Sequence, residues 1–464
     1  MEPQQKFNKN AEKVAFDLQH RKTINFNISK YDDAVAHGKL QYQDLEKARQ
    51  RAAHLKYKVL NDLDKYLIQF EDNFQKRGGK VIWAQDVKEA QKEILKIIKD
   101  QNATRVVKSK SMTTEEINLN AVLEKNKIKV LETDLGEYIV QLAGEKPYHI
   151  VTPAMHKSKE DVAELFADKL GTSKDLTAEQ MTNAVREELR KDFLEAEIGI
   201  TGANFLIADT GSIAVTENEG NAIMSMSFPK THIAVVGIEK LIPEMENLDI
   251  FWPLLASYGT GQHISVYNSI LSGPKQSGEL DGPENMFVVL IDNGRSDLLS
   301  YERQRIALSC IRCGACLNAC PVYKNIGGHA YETTYSGPIG AVTNPIMLGM
   351  EYKHQSFAST LCGKCTEVCP VKIPLHELLK VNRNLAVISN ADRSDKNQMY
   401  VWKKAMMSRK RMDMASAGTK NMLIKHFFKK KWGTKRVLPT IANKSFSQQW
   451  KENVSFPIFR AIQN

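Results

Sequence analysis

The sequence predicts a layered α/β domain, followed by a helical module that carries cysteines and by a basic C-terminal segment. Strand-like and helix-like stretches alternate over residues 79–295, which is the pattern of a layered sheet. All seven cysteines lie in two short runs, and the excess positive charge follows them. We therefore divide the 464 residues into a helical segment 1–78, the α/β domain 79–295, the cysteine module 296–390 and the basic segment 391–464.

The helical segment is predicted from one apolar stripe. From about Lys39 to Arg77, apolar residues recur at steps of three and four, namely Leu60, Leu63, Leu67, Phe70 and Phe74. The pair Gly78-Gly79 is expected to end this helix, because glycine is the usual residue just past a helix C-terminus.

The α/β domain is predicted from β-branched apolar runs separated by helical patterns. The expected strands are 81–84, 105–108, 128–132, 149–152, 205–208, 212–216, 232–237 and 286–291. The expected helices are 86–100, 160–169 and 178–197. No G-x-G-x-x-G follows the first strand, so the sequence gives no motif for a dinucleotide-binding fold.

The cysteine runs read Cys310-x-x-Cys313-x-x-Cys316-x-x-x-Cys320-Pro321 and Cys362-x-x-Cys365-x-x-x-Cys369-Pro370. Thiolates two residues apart allow one loop to hold several irons of an iron–sulfide cube, and the cysteine before proline serves a neighbouring cluster. The runs therefore predict two iron–sulfur clusters. Predicted helices at 301–308 and 375–390 flank them, and 41 residues separate Cys320 from Cys362. These features favour an α-helical two-cluster ferredoxin domain.

The crossed arrangement divides the cysteines into two sets. Set one, expected to hold a [4Fe–4S] cluster, is Cys310, Cys313, Cys316 and Cys369. Set two is Cys320, Cys362 and Cys365, and it lacks a fourth cysteine because Ser359 stands at the corresponding position. The second cluster is thus either a [4Fe–4S] cluster with an open site, where water, a hydroxyl or an outside ligand binds, or a [3Fe–4S] cluster.

Two other uses of cysteine fit the pattern less well. Zinc also binds paired C-x-x-C motifs, but a four-cysteine run ending in proline matches zinc-ligand spacing poorly. Disulfides are typical of small secreted chains, whereas this chain is long and has an odd number of cysteines.

Charge and hydropathy bear on location and partners. Residues 391–464 hold 17 Lys and Arg against 4 Asp and Glu, while the whole chain has a net charge of +10. This basic segment could dock on an anionic membrane surface, an acidic partner protein or nucleic acid, or serve as a solvated surface. Its aromatic residues, among them Trp402, Trp450 and Phe456, favour a partner-contacting role. With no membrane-spanning stretch and no export signal, we expect a cytoplasmic protein, peripheral at the inner face of the membrane if the tail binds lipid.

Polar residues follow several predicted strands, where open α/β sheets place ligand sites. Lys110, Asp134, Asp209 and Asn218 are the candidates for one ligand pocket. Each also fits an ordinary turn, and for Gly199–Asn204 and Ile207–Ser212, which flank a predicted strand, two tight turns are the favoured interpretation. His149, His156, His232, His263 and His329 are scattered, and each is interpreted as structural.

Several segments occur together in this chain, namely Lys108–Met112, Glu132–Ile139, Gly202–Phe205, Ala208–Ser212, Asn218–Asn221, Asp292–Arg295, both cysteine runs and the basic tail with Trp432-Gly433. In combination they resemble the bacterial lactate-utilisation protein B family. This resemblance implies a lactate-utilisation domain of the sugar-isomerase and coenzyme-A-transferase-like type, then the two-cluster ferredoxin domain. It also implies two companion lactate-utilisation proteins, and the same division of the cysteines between the clusters.

The resulting expectation is an iron–sulfur electron-transfer subunit of a complex that oxidises L-lactate to pyruvate, itself without a catalytic site. One alternative is an enzyme whose α/β domain binds a small anion and uses the clusters as its redox partner. Another is an iron–sulfur redox sensor. The basic tail is expected to meet a redox protein or a membrane-surface acceptor, with nucleic acid the least favoured partner.

Overall fold

The computed structural model describes residues 2–389, 393–433 and 436–454. The chain forms two compact units, Met1–Ile388 and Ser389–Asn464. The first unit contains the N-terminal helices, both sheets and both cysteine runs.

Four helices precede the first strand: α1 (Pro3–Ala15), α2 (Leu18–Gly38), α3 (Leu45–Asn61) and α4 (Leu63–Lys76). The prediction of one helix from about Lys39 to Arg77 is wrong in its continuity. The chain leaves the helical region at Asp62 (φ −124°, ψ 40°), a short polar residue that favours helix ends. The apolar stripe is nevertheless buried, since Leu67, Phe70 and Phe74 on α4 are all buried.

Within the described residues, ten strands form two sheets. They are β1 (Lys80–Ala84), β2 (Arg105–Lys108), β3 (Lys129–Glu132), β4 (Ile198–Thr201), β5 (Phe205–Ile207), β6 (Ser212–Glu217), β7 (Thr231–Gly237), β8 (Leu241–Ile242), β9 (Tyr267–Leu271) and β10 (Asn285–Ile291). The larger sheet has the order β1-β10-β7-β4-β2-β3, and all its strands are parallel. The smaller sheet, β8-β5-β6-β9, is mixed.

The larger sheet is buried on both faces, which explains why its central strands are continuously apolar. On β7, Ile233 and Val235 pack toward one core, whereas Ala234 and Val236 pack toward the other. The first core takes Ala90, Ile94 and Ile98 from a helix, and the second takes the buried side of α4.

The helices of the α/β region are α5 (Val87–Asp100), α6 (Met112–Glu116), α7 (Leu119–Lys125), α8 (Leu135–Leu142), α9 (Lys159–Leu170), α10 (Ala178–Glu195), α11 (Asn221–Ser227), α12 (Leu248–Gly259) and α13 (Arg295–Ser300). The predicted strand at 149–152 is wrong. There, His149 Nδ1 accepts hydrogen bonds from the N–H groups of Val151 (3.1 Å) and Thr152 (3.2 Å), so the chain turns and does not extend.

The cysteine module is helical. It contains α14 (Ala315–Asn318), α15 (Pro321–Ile326), α16 (Gly337–Met347), α17 (His354–Phe357), α18 (Lys364–Glu367) and α19 (Leu375–Ile388). The helix expected at 301–308 is a 3₁₀ helix, Gln304–Ser309. Leu317, Tyr323 and Leu378 share one core with Phe7 and Ile24, so the N-terminal helices and the cysteine module fold around the same apolar cluster.

The second unit contains α20 (Arg393–Met406), α21 (Arg409–Met412), α22 (Ala417–Trp432) and α23 (Phe446–Val454). Large apolar side chains on these helices are exposed, including those of Trp402, Phe427 and Phe446. Phe456, also expected to contact partners, lies outside the described residues. Among the described helices of the whole chain, none combines the length and the apolar character that crossing a bilayer would require.

Candidate functional site

The first cysteine run forms a tight loop. Arg312 (φ 61°) and Gly314 (φ 77°) adopt left-handed backbone conformations, which turn the chain between successive cysteines. The N–H of Arg312 donates to the Sγ of Cys310 at 3.4 Å. Cys320 then caps α15, whose first residue is Pro321. The loop thus brings four thiols into one short segment, with a backbone N–H group donating to the first of them.

The second run repeats this conformation. Leu361 (φ 54°) and Gly363 (φ 81°) correspond to Arg312 and Gly314 of the first run. The correspondence extends to Ser359, whose Oγ accepts the N–H of Leu361 at 3.1 Å, as the Sγ of Cys310 accepts that of Arg312. Ser359 therefore occupies the position of a fourth cysteine, with an oxygen where the first run has sulfur.

The structure brings the cysteines together across the two runs. Burial is the main cause of the raised pKa values of Cys313 and Cys316. The thiols of Cys310 and Cys369 are close enough to both residues to raise these pKa values further. Burial, followed by the influence of Cys320 and then Cys362, raises the pKa of Cys365 to about 11. In the crossed division, which stays a prediction, the first group of neighbours is set one and the second is set two. Cys316 also lies near Cys365, so the sets adjoin.

The arrangement fits iron–sulfur clusters better than single metal ions. Burial raises the pKa of Cys369 to about 12, so thiolates there need a bound cation. A tetrahedral zinc ion with Zn–S bonds of about 2.3 Å would bring its sulfurs to about 3.8 Å from one another. All seven cysteines are described, and no three of their sulfurs lie within 4.8 Å of one another. Such wider spacing suits thiolates that each bind a different iron.

A buried charge network adjoins set one. Arg295 donates to Glu116 (2.8 and 2.9 Å) and, through Nε, to Glu239 (2.6 Å). Burial alone would raise the pKa of Glu239, but Arg295 and then Arg312 outweigh it and lower that pKa to about 2. The guanidinium of Arg312 lies 3.9 Å from the centre of the Tyr335 ring, and its Nη2 is 3.4 Å from Glu239.

A cavity of about 380 Å³ opens beside this network. It lies where β2, β4 and β7 end, because parallel strands deliver their carboxyl ends to one edge of the sheet. Ser109–Thr113 follow β2, Gly202–Asn204 follow β4, and Lys240 follows β7. Arg312 and Cys313 also line the cavity, so it reaches set one.

Three of the four predicted pocket residues line this cavity, namely Lys110, Asp134 and Asn218. Lys110 Nζ donates to the carbonyls of Ile150 (2.6 Å) and Val151 (3.0 Å). The structure places Asp209 elsewhere. Its carboxylate accepts the N–H of Met245 at 3.1 Å, and it is absent from the described lining residues of this cavity. Asp209 follows β5, which runs antiparallel to β6, so it lies at the opposite edge of the smaller sheet from Asn218, which follows β6.

Acidic residues form another part of the lining. Asp134 and Glu219 border both this cavity and an adjoining one, whereas Lys240, Arg312 and Cys313 border only the first. Burial, and then Asp134, raise the pKa of Glu219 to about 7. Glu219, Lys240 and Arg312 were not among the four predicted pocket residues. Glu219 stands beside the predicted Asn218 and Arg312 lies inside a cysteine run, but Lys240 has no local signal.

Two further clusters are structural in their contacts. Lys108, completely buried, pairs with Glu132 (2.7 Å) and Glu115 (3.1 Å), so the first lysine of the segment Lys108–Met112 neutralises carboxylates and is not among the described lining residues of the cavity. His156 and His329 are far apart in the sequence, but their ring centres lie 4.9 Å apart in the fold. His156 Nε2 also lies 2.7 Å from Glu145.

Comparisons with known proteins agree with this architecture. Residues 67–291 match the LUD domain, and residues 306–373 match the 4Fe-4S dicluster domain. The fold and site thus define an iron–sulfur protein in which a LUD domain precedes a dicluster domain, and the predicted fold class is confirmed.

A lactate utilization protein B from Bacillus cytotoxicus is 48% identical over 343 residues, covering 74% of this chain and 72% of the relative. One from Lysinibacillus sphaericus is 49% identical over 346 residues, with the same coverage of both chains. The chain belongs to the lactate utilization protein B family.

Among solved structures, a duf162 family protein from Deinococcus radiodurans aligns with 49% of this chain and 98% of its own. The TM-score is 0.29 and the sequence identity is 17%.

Proposed function

We propose that this protein is the iron–sulfur electron-transfer component of a multi-protein system that oxidises L-lactate to pyruvate. The observation that carries the proposal is the pair of adjoining cysteine sets, in which every cysteine except Cys362 belongs to or packs against one apolar core. Bound clusters would carry one electron at a time, so that two neighbouring clusters suit an oxidation that releases two electrons. The family to which the chain belongs supports lactate as the metabolite.

In this proposal, Cys310, Cys313, Cys316 and Cys369 hold a [4Fe–4S] cluster. The N–H groups of Arg312 and Ile373, which donate to Cys310 and Cys369, reduce the negative charge on the sulfurs. Set two holds either a [4Fe–4S] cluster with an open site or a [3Fe–4S] cluster, since it offers three cysteines.

The burial of the sets supports a direction for the electron path. Cys313 and Cys369 are buried, whereas Cys362 of set two is exposed. Electron transfer to another protein requires a short path through the surface, so set two is the proposed exit. Set one, which borders the cavity, is the proposed entry.

The basic second unit is the proposed docking segment for the two companion lactate-utilisation proteins. Exposed aromatic side chains beside basic ones, such as Tyr400 and Trp402 near Lys403 and Lys404, are typical of contact surfaces. An anionic membrane surface is the alternative occupant. Removing residues 391–464 should abolish association with the companions. If association survives and binding to anionic vesicles is lost, the segment is a membrane anchor.

The test of the electron-transfer role is anaerobic reduction. In a reconstituted mixture with its companion proteins, L-lactate should bleach the visible absorption of the clusters, and D-lactate serves as the control. A mixture that forms pyruvate while the clusters stay oxidised would remove the role. The sensor alternative predicts cluster-dependent binding of nucleic acid, which a mobility assay with and without residues 391–464 would detect.

A further inference from the structure

We propose that the cavity beside Cys313 is a binding site for a small carboxylate anion, of the 2-hydroxy and 2-oxo acid class, which Lys240 and Arg312 hold. The anion class rests on the proposed function, whereas the anion site itself rests on the contacts of these two residues.

The first observation is an unpaired buried ammonium group. Lys240 is 9% exposed and lines the cavity. Within the part of the chain that the structure describes, its ammonium group has no hydrogen-bond acceptor and no carboxylate at ion-pair distance, and Glu239 attracts it only from farther away. The neighbouring Lys56 differs, since it donates to the carbonyls of Glu239 (2.6 Å) and Leu241 (3.0 Å). A buried cation without a partner is strongly unfavourable, so Lys240 is suited to receive an anion.

The second observation concerns Arg312. Its Nε and Nη1 groups are buried and have no hydrogen-bond partner, and only Nη2 reaches Glu239, at 3.4 Å. The side chain is held in place by the ring of Tyr335, which in turn donates to Glu116 at 2.7 Å. A guanidinium fixed by stacking, with free N–H groups, is the usual arrangement for binding a carboxylate.

The local charge balance favours the same ligand. The cations of Lys240, Arg295 and Arg312 meet here against the two carboxylates of Glu116 and Glu239, while burial lowers the pKa of the nearby Lys56 to about 7, so that it carries less than a full charge. Arg295 already uses both carboxylates. The excess positive charge therefore falls on the two residues that line the cavity.

The cavity also selects by size and position. Its volume of about 380 Å³ admits a three-carbon acid with water, and it shares part of its lining with the adjoining cavity. Because Cys313 borders the same space, an acid held by Lys240 and Arg312 would lie beside set one. Asp134 and Glu219, elsewhere in the lining, would repel a second carboxylate, so monocarboxylates are preferred over dicarboxylates.

Anaerobic calorimetry of the cluster-loaded, full-length protein tests the proposal. Pyruvate and L-lactate should bind, and succinate should bind more weakly. Lys240→Met should weaken pyruvate binding by about 10-fold or more, as expected for loss of a charge-assisted hydrogen bond. Lys230→Met, at an exposed position outside both cavities, should leave binding unchanged. Arg312→Lys keeps the charge but loses the planar donor group, and should weaken binding less than Arg312→Gln.

The competing explanation is that these cations only balance the charge of a cluster on set one. It predicts that Lys240→Met lowers the reduction potential of that cluster while the protein binds neither acid. That outcome, or equal affinity in Lys240→Met and Lys230→Met, overturns the proposal. The result is separable from the electron-transfer role, because pyruvate binding requires no companion protein, and bleaching by lactate in the reconstituted mixture can fail while pyruvate still binds.

Discussion

The crossed ligand assignment makes its sharpest prediction for the two cysteines that precede prolines. Cys320 lies in the first run but belongs to set two in the crossed assignment, and Cys369 lies in the second run but belongs to set one. Cys320→Ser should therefore have the same iron content and paramagnetic resonance spectrum as Cys362→Ser, although these residues are 42 positions apart in the sequence. It should not resemble Cys313→Ser, its neighbour in the same run.

The expected magnitudes differ because the sets differ in size. Cys320→Ser leaves set two with Cys362 and Cys365, too few thiolates for a cluster, so about 3 or 4 irons should be lost from a total of about 7 or 8. Cys369→Ser leaves three thiolates in set one, as many as set two has in the unchanged protein. It should lose as little as about 1 iron, with conversion of the set-one signal to a three-iron type.

The assay is iron and sulfide analysis of anaerobically purified variants, combined with electron paramagnetic resonance in the oxidised and reduced states. Circular dichroism checks that each variant keeps its helical content, because Cys369 is buried and its replacement by a more polar group strains the core. An uncrossed arrangement predicts the reverse, with the larger iron loss in Cys369→Ser. If the spectrum of Cys320→Ser matches that of Cys313→Ser, the crossed assignment is wrong.

Three further predictions concern other positions. Ser359→Cys should place a fourth thiolate on set two, removing any three-iron signal and raising the iron content by up to about 1 atom, whereas Ser359→Ala should not. Burial lowers the pKa of His232 to about 3, so only the unfolded chain takes up its proton as the pH falls through about 6.5, and stability is lost in that direction. Between pH 8 and pH 6 this amounts to about 0.8 kcal/mol, and His232→Gln should flatten the denaturant-measured pH dependence by that amount; an unchanged slope would contradict it. Gly199→Ala would bring a Cβ to 1.7 Å from the carbonyl oxygen of Ser225 and should lower the unfolding midpoint, while Gly418→Ala, on an exposed helix, should not; equal midpoints would contradict the packing of α11 on β4.

Local sequence patterns predicted much of the fold. The strand at 105–108 and the helix at 178–195 were predicted closely because hydrophobic periodicity is a property of neighbouring residues. The central strand β4 was missed, since Gly199 and Gly202 made its surroundings resemble turns. Position 199 requires glycine because α11 approaches the strand closely there. The residues next to Gly199 in the sequence do not predict this contact.

The candidate site shows the same division. Cys310, Cys313 and Cys316 could be grouped from spacing because one loop holds them, and the spacing of C-x-x-C thiols is local chemistry. The sequence could not predict that Lys240 and Arg312 line one cavity, or that Asp209 lies apart from Lys110. Both facts depend on the strand order β1-β10-β7-β4-β2-β3 and on the packing of the cysteine module against the sheet.

The sequence alone therefore determined the type of chemistry, since seven thiols at these intervals suit iron and sulfide in any fold that leaves the loops intact. Only the tertiary structure decided what lies next to that chemistry. Residues such as Lys240 and Cys313 are 73 positions apart and line one cavity because parallel strands deliver their ends to a common edge, a long-range outcome of burying both faces of the sheet.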